Sequence, residues 1–313
     1  MPVSSAGRIA IIGAGHVGST TAYALMLRAL VREIVLIDNN RALAEAEAAD
    51  IADANALARP ARIWAGDYGD AATAGIAILT AGAATHGSES RLSVLARSAA
   101  IVGDCVDQLM QAGFAGIILV AANPVDVMAH VAYRKSGLSA GRVIGTGTLL
   151  DSSRLRQALA AKLNVAPGAV TGVVLGEHGD SEVAAFSTVR VGGLTLEDFT
   201  KSGAPVDCVG VARDVREAGY AIVSGKGYTS FGIATAVGRI CEAIVRNERS
   251  VLPVSTLMTG EFGLKDVFLS LPCLLGAEGV ERVLVPDLTP DELAALCASA
   301  DVIRQAKATF DGV

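Results

Sequence analysis

Arg8-Ile-Ala-Ile-Ile12 runs directly into Gly13-Ala-Gly15-His-Val-Gly18, and the reading of these residues decides the fold. The four residues after Arg8 are apolar and rich in β-branched side chains, the pattern of a short buried strand. From Val17 to Leu30 the apolar positions recur with a helical period. The three glycines between strand and helix have separate tasks. Gly13 permits a tight turn, Gly15 lets backbone approach a pyrophosphate, and Gly18 lets the helix pack closely on the strand. The helix N-terminus, Val17 included, then faces the phosphates. Asp38 closes a second apolar strand, Glu33-Ile-Val-Leu-Ile37, 20 residues beyond Gly18. A carboxylate there accepts hydrogen bonds from the adenosine ribose hydroxyls and repels a 2′-phosphate, which favours NAD over NADP. The plain alternative is a Gly-rich turn beside a solvated Asp.

The same rhythm continues outward. Residues 42–55, 93–112 and 125–135 read as helices, and 76–80, 116–121 and 142–145 as strands. Apolar strands alternating with amphipathic helices indicate a parallel sheet covered on both faces. After residue 148 the pattern changes. A helix over 152–163 precedes sheet-like segments at 170–175 and 185–191. A helical tract over 209–247 breaks near Gly225-Lys-Gly227, strands follow at 255–259 and 267–271, and a last helix starts at Thr289 with Glu292 completing a capping box. The expected class is α/β: a Rossmann-type doubly wound parallel sheet over residues 1–147, then an α+β substrate domain over 148–313.

Composition narrows the function. Of 313 residues, 26 are Lys or Arg and 32 are Asp or Glu, so the net charge is -6 and nothing supplies the basic field that nucleic acid requires. The mean hydropathy of +0.47 raises the question of a membrane. No apolar run approaches the roughly 18–20 residues of a span, and the run over 117–122 stops at Asn123-Pro124. The five cysteines are scattered and form neither a disulfide framework nor a zinc pattern. The N-terminus lacks the features of a signal peptide. These features lead us to expect a soluble cytoplasmic protein with no metal, no nucleic-acid partner and no membrane partner.

Four polar clusters fall at strand or helix ends: Asn123-Pro124, Asp151-Ser-Ser-Arg154, Gly176-Glu-His-Gly-Asp180 and Glu89-Ser-Arg91. His178 lies between two glycines and beside carboxylates, which can place it at a cleft and tune its proton affinity. A structural turn histidine fits the same residues. Asp151 and Arg154, three apart, share one helical face, and an ordinary helix-start ion pair fits those equally.

In order behind the glycine fingerprint come Asn123-Pro-Val-Asp126, Val143-Ile-Gly-Thr-Gly-Thr-Leu-Leu-Asp151, Leu175-Gly-Glu-His-Gly-Asp180 and Gly225-Lys-Gly-Tyr-Thr-Ser230. With them the chain resembles the L-lactate/malate dehydrogenase family, more closely its L-lactate and L-2-hydroxyacid branch. The resemblance implies NAD as cofactor, contacted by Gly13, Gly15, Val17, Gly18, Asp38, Thr80, Gly82 and Asn123. It implies His178 as the acid/base, Asp151 as its partner, and Arg91 as a loop residue that polarises the substrate carbonyl. Arg154, Asn123 and Thr229 would bind a small 2-oxo or 2-hydroxy acid, Arg154 through two parallel hydrogen bonds that lysine cannot supply. A homo-oligomer, dimer or tetramer, is also implied.

One position departs from the family. Six residues before the loop arginine, lactate enzymes carry Gln and malate enzymes Arg; here stands Thr85. Thr85 offers no charge to a second carboxylate and leaves room for larger 2-oxo acids, while the adjacent His86 keeps dicarboxylates open. Lactate is the expected substrate, with larger 2-hydroxy acids or malate as alternatives. A silent NAD-binding protein and an NAD-using hydrolase are the readings from other classes.

Overall fold

The computed structural model describes residues 7–58, 60–83, 91–201 and 205–309, except the side chains of Arg91 and Leu92. In chain order the first half holds β1 (Arg8–Ile12), α1 (His16–Leu27), β2 (Glu33–Ile37), α2 (Arg41–Asn55), β3 (Arg62–Ala65), α3 (Tyr68–Ala71), β4 (Ile76–Leu79), α4 (Arg91–Gln111), β5 (Ile117–Val120), α5 (Val125–Ser136) and β6 (Val143–Gly145). The second half holds α6 (Leu149–Leu163), β7 (Val170–Leu175), β8 (Val183–Val191), β9 (Leu194–Thr195), α7 (Leu196–Thr200), α8 (Cys208–Lys226), α9 (Phe231–Val245), β10 (Ser250–Thr259), β11 (Lys265–Gly276), β12 (Gly279–Val283) and α10 (Pro290–Ala308).

Among the described residues the main sheet runs β12-β11-β10-β6-β5-β4-β1-β2-β3. The six strands from β6 to β3 are parallel, with Ala10 of β1 opposite Val35 on one side and Ala77 on the other. Their continuous apolar runs follow from this burial: Ile9, Ile11, Ile34, Ile78 and Leu119 are sealed, each contributing about 1.5–3 kcal/mol on leaving water. Strand order reverses at β1, which pairs with both β2 and β4. The crevice outside the carboxyl ends of these strands is the switch point at which such sheets bind ligands.

Beyond β6 the sheet turns antiparallel. Ser255 of β10 pairs with Gly145 of β6, and β10, β11 and β12 form a meander. A second sheet, β7-β8-β9, carries the turn that holds His178. The helical tract expected over 209–247 is two helices, because Gly227 takes a left-handed conformation (φ +88) and closes α8. The helix expected from residue 152 begins at Leu149, which moves Asp151 into its first turn. Strand β3 and helix α3 were not anticipated. Arg62-Ile-Trp-Ala65 is an edge strand without a sealed apolar run, and α3 is a single turn capped by Asp67 and Asp70.

Candidate functional site

Strand β1 ends at the fingerprint turn. Gly13 has φ +105, and its N–H donates to the Ile37 carbonyl at 2.7 Å. A Cβ on Gly18 would lie 1.8 Å from the Gly13 carbonyl oxygen, so only glycine allows α1 to start this close to the strand. The Thr80 hydroxyl, one residue past β4, donates to the same oxygen at 2.8 Å. At Gly15 an added Cβ would meet nothing within 4 Å, and α1 has no side-chain cap. Uncapped N–H groups at a helix start, facing open space, fit an anionic pyrophosphate.

Asp38 follows β2. Its two carboxylate oxygens accept the N–H groups of Ala14 at 2.7 Å and Asn40 at 2.8 Å, which fixes the carboxylate beside the turn and leaves each oxygen a further lone pair. Gly82 is exposed after β4, and the next residue, Ala83, donates its N–H to Ser98 of α4 at 3.2 Å. Asn123 is exposed between β5 and α5. Val17 lies in the first turn of α1. His16 stacks on Tyr228 with centroids 3.9 Å apart and planes 12° apart, which ties the turn to the connection carrying Thr229.

The second group assembles on α5 and α6, which start just beyond the carboxyl ends of β5 and β6. Asp151 is buried; its Oδ2 lies 2.6 Å from His178 Nδ1, and its Oδ1 accepts Arg154 Nη1 at 2.9 Å. His178 sits in the turn after β7, where Gly176 (φ +88) exchanges two 3.0 Å backbone bonds with Ser270 of β11. The His178 N–H donates to Asp126 Oδ2 at 2.8 Å, while Asp126 Oδ1 accepts the Ser255 hydroxyl at 2.6 Å. Next to it, the Glu177 N–H donates to Ser299 of α10 at 2.8 Å. Five elements thus hold one imidazole.

The electrostatics follow from this packing. Burial pushes the His178 proton affinity down, but the Asp151 hydrogen bond and charge, helped by Asp126 and Glu182, outweigh it and lift the pKa to about 9. Burial also pushes Asp151 up, and there the bonds and charges of His178 and Arg154 prevail, holding the carboxyl below the usual range. Asp126 is sealed, and burial raises it to about 6 against the Ser255 hydroxyl and the His178 N–H. With Nδ1 turned to Asp151, Nε2 is the ring atom left for a substrate.

The sequence reading named His178, Asp151 and Arg154, and the structure brings them together. Thr85, His86 and the Arg91 side chain lie outside the described residues. Asp126, Ser255 and Glu182 were missed as contributors. Asp126 stands inside a motif already quoted, but only the fold shows that its carboxylate reaches the His178 turn.

Two family models cover the chain: the lactate/malate dehydrogenase NAD binding domain over residues 7–145, and the lactate/malate dehydrogenase alpha/beta C-terminal domain over 148–311. The chain belongs to the lactate/malate dehydrogenase family. Its cofactor is NAD. It is similar to the L-lactate dehydrogenase of Thermus aquaticus, 44% identical over 303 residues, covering 96% of this chain and 98% of the relative. That of Moorella thermoacetica is 43% identical over 310 residues, covering 97% and 98%. The solved minor L-lactate dehydrogenase of Enterococcus mundtii in its ligand-bound form superposes with a TM-score of 0.95 at 38% identity, covering 97% of this chain and 98% of that one.

Proposed function

We propose that this chain is an NAD-dependent L-lactate dehydrogenase, interconverting (S)-lactate and pyruvate. The observation that carries the reading is the His178 Nδ1–Asp151 Oδ2 contact of 2.6 Å, with Arg154 on the other Asp151 oxygen, at the carboxyl edge of a sheet bearing an uncapped dinucleotide turn. The nicotinamide, when bound, supplies or accepts the hydride at the substrate carbon.

The chain's own residues do the rest. Asp151 fixes the tautomer of His178 and stabilises its cationic form, so Nε2 donates a proton to the carbonyl oxygen during reduction and accepts one from the hydroxyl during oxidation. Arg154 pairs with the substrate carboxylate, and Arg91 stabilises the charge that develops on the oxygen. Asn123 and Thr229 line the substrate, and Asn123 also faces the cofactor. Gly13, Gly15, Val17, Gly18, Thr80 and Gly82 cradle the dinucleotide, and Asp38 takes the ribose. We place the domain division at residues 147/148.

We place the enzyme in the cytoplasm. Among the described residues no helix is long and apolar enough to cross a membrane. A homo-oligomer is part of the proposal. A groove of about 440 Å³ between α1, α6 and α9 leaves Phe231 exposed beside Arg156, and covering that ring with a second copy would remove apolar surface from water.

Thr85 supports a monocarboxylate. A second carboxylate in a closed pocket without a partner costs several kcal/mol, so pyruvate is preferred over oxaloacetate by about two or more powers of ten in kcat/KM. A panel of pyruvate, 2-oxobutyrate, branched 2-oxo acids and oxaloacetate tests this, with Thr85→Arg swinging the preference toward oxaloacetate. A wild type that already prefers oxaloacetate would overturn the lactate reading.

A further inference from the structure

Glu182 takes no part in the pairing described above. It stands one residue before β8 and is only 7% exposed; its N–H donates to the Gly179 carbonyl, but its carboxylate makes no hydrogen bond or ion pair among the described residues. A carboxylate oxygen of Glu182, an oxygen of Asp151 and a ring nitrogen of His178 all lie within 4.8 Å of one another. The charges around it come from three sides. Helix α6 presents Asp151 and Arg154, the turn after β7 presents His178, and α8 presents Arg216. Asp151 and Arg154 are bonded to each other, and Arg216 is exposed and screened by solvent. Asp126 stands behind His178 on α5, and Glu177 is turned away to Ser181. A cation shared by the trio is disfavoured, because both Asp151 oxygens are engaged, one by His178 and one by Arg154.

A buried, unpaired carboxylate is costly to keep charged and is neutralised when a further negative charge comes near. The substrate brings such a charge, since its carboxylate must enter beside Arg154. We infer that Glu182 is a proton-linked gate on substrate binding: its carboxyl takes up a proton from solvent when a 2-hydroxy or 2-oxo monocarboxylate enters, and its ionised form repels that substrate. No covalent bond changes in this step. Burial and the Asp151 charge raise the Glu182 carboxyl to about 8 against the pull of His178, Arg216 and Arg154, so the gate switches near pH 8. The inference rests on the 2-hydroxyacid reading above.

The decisive experiment uses lactate oxidation at saturating NAD between pH 9.5 and 10.5, where most of His178 is neutral. The KM for lactate is expected to rise about tenfold per pH unit in the wild type and to stay flat in Glu182→Gln. Parallel slopes in the two proteins would overturn the gate. A second measurement needs no variant. Calorimetry of oxamate, an unreactive pyruvate isostere, binding to the NADH complex near pH 9.5 in buffers of different ionisation enthalpy counts the protons taken up. More than one proton supports Glu182 acting alongside His178, and one or fewer overturns it. If the wild type fails to oxidise lactate at any pH, the functional reading fails; if it oxidises lactate with matching slopes, only the gate does.

Discussion

At the scale of single residues, His178 acquires its chemistry from atoms that no sequence window contains. Asp151 is 27 positions away and Asp126 is 52, yet one holds the ring and the other holds the backbone N–H. A pKa of about 9 keeps the imidazole protonated through neutral pH. At saturating pyruvate, where the Glu182 carboxyl is already protonated, kcat for reduction depends on the protonated ring alone, so it is flat below about pH 9 and falls roughly tenfold per pH unit above it. The kcat of lactate oxidation needs the neutral ring and gains as pH rises toward about 9. Asp126, raised to about 6, is ionised where His178 titrates, so its negative charge favours the imidazolium. Asp126→Asn removes that charge while keeping an acceptor for the His178 N–H. The alkaline limb of pyruvate reduction should move to lower pH by about one unit, read from kcat at saturating pyruvate across pH 7 to 10. A limb that stays in place would make Asp126 a purely structural anchor.

At the scale of elements, legibility tracks how local the physics is. The fingerprint turn was readable because each glycine answers a constraint within a few residues: Gly13 a positive φ, Gly18 a carbonyl 1.8 Å from where its Cβ would stand. Parallel strands were readable because burial on both faces demands continuous apolar runs. Strand β3 escaped because an edge strand has no such demand, and the start of α6 was misjudged by three residues because Leu149 and Leu150 suit a strand end as well as a helix. Glu182 escaped for a different reason: its meaning is burial, which the α6–β7–β8 packing sets. The junction of β2 with the fingerprint turn carries a prediction of its own. Asp38 is fixed by the Ala14 and Asn40 N–H groups, and on the proposed reading its carboxylate accepts the ribose diol and repels a phosphate. Asp38→Ser should lower the kcat/KM preference for NADH over NADPH by at least tenfold, chiefly by weakening NADH. A wild type that uses both cofactors equally would remove the basis for this assignment.

At the scale of the whole molecule, the two halves are not separate bodies joined by a linker. The β6–β10 pairing carries one sheet from the nucleotide half into the substrate half. The apolar cores cross the same boundary. One joins Val120 and Met128 to Leu175, Phe268 and Ile303, and another joins Ile11 and Leu25 to Val237, Ile240 and Leu275. A third core, around Leu155, Val174 and Val211, lies wholly in the second half. Cores shared in this way make each half depend on the other for burial, so the halves should not unfold independently. Trp64, the single tryptophan, lies on edge strand β3 at the far end of the nucleotide half and reports on that half alone. In urea its fluorescence should change with the same midpoint as the far-ultraviolet circular dichroism, which reports on both halves. An earlier Trp64 transition would mean that the nucleotide half opens by itself. In that case the imidazole, held by α5 and α6 together, would lose Asp126 before Asp151, and the catalytic pair would outlast the cofactor site during denaturation.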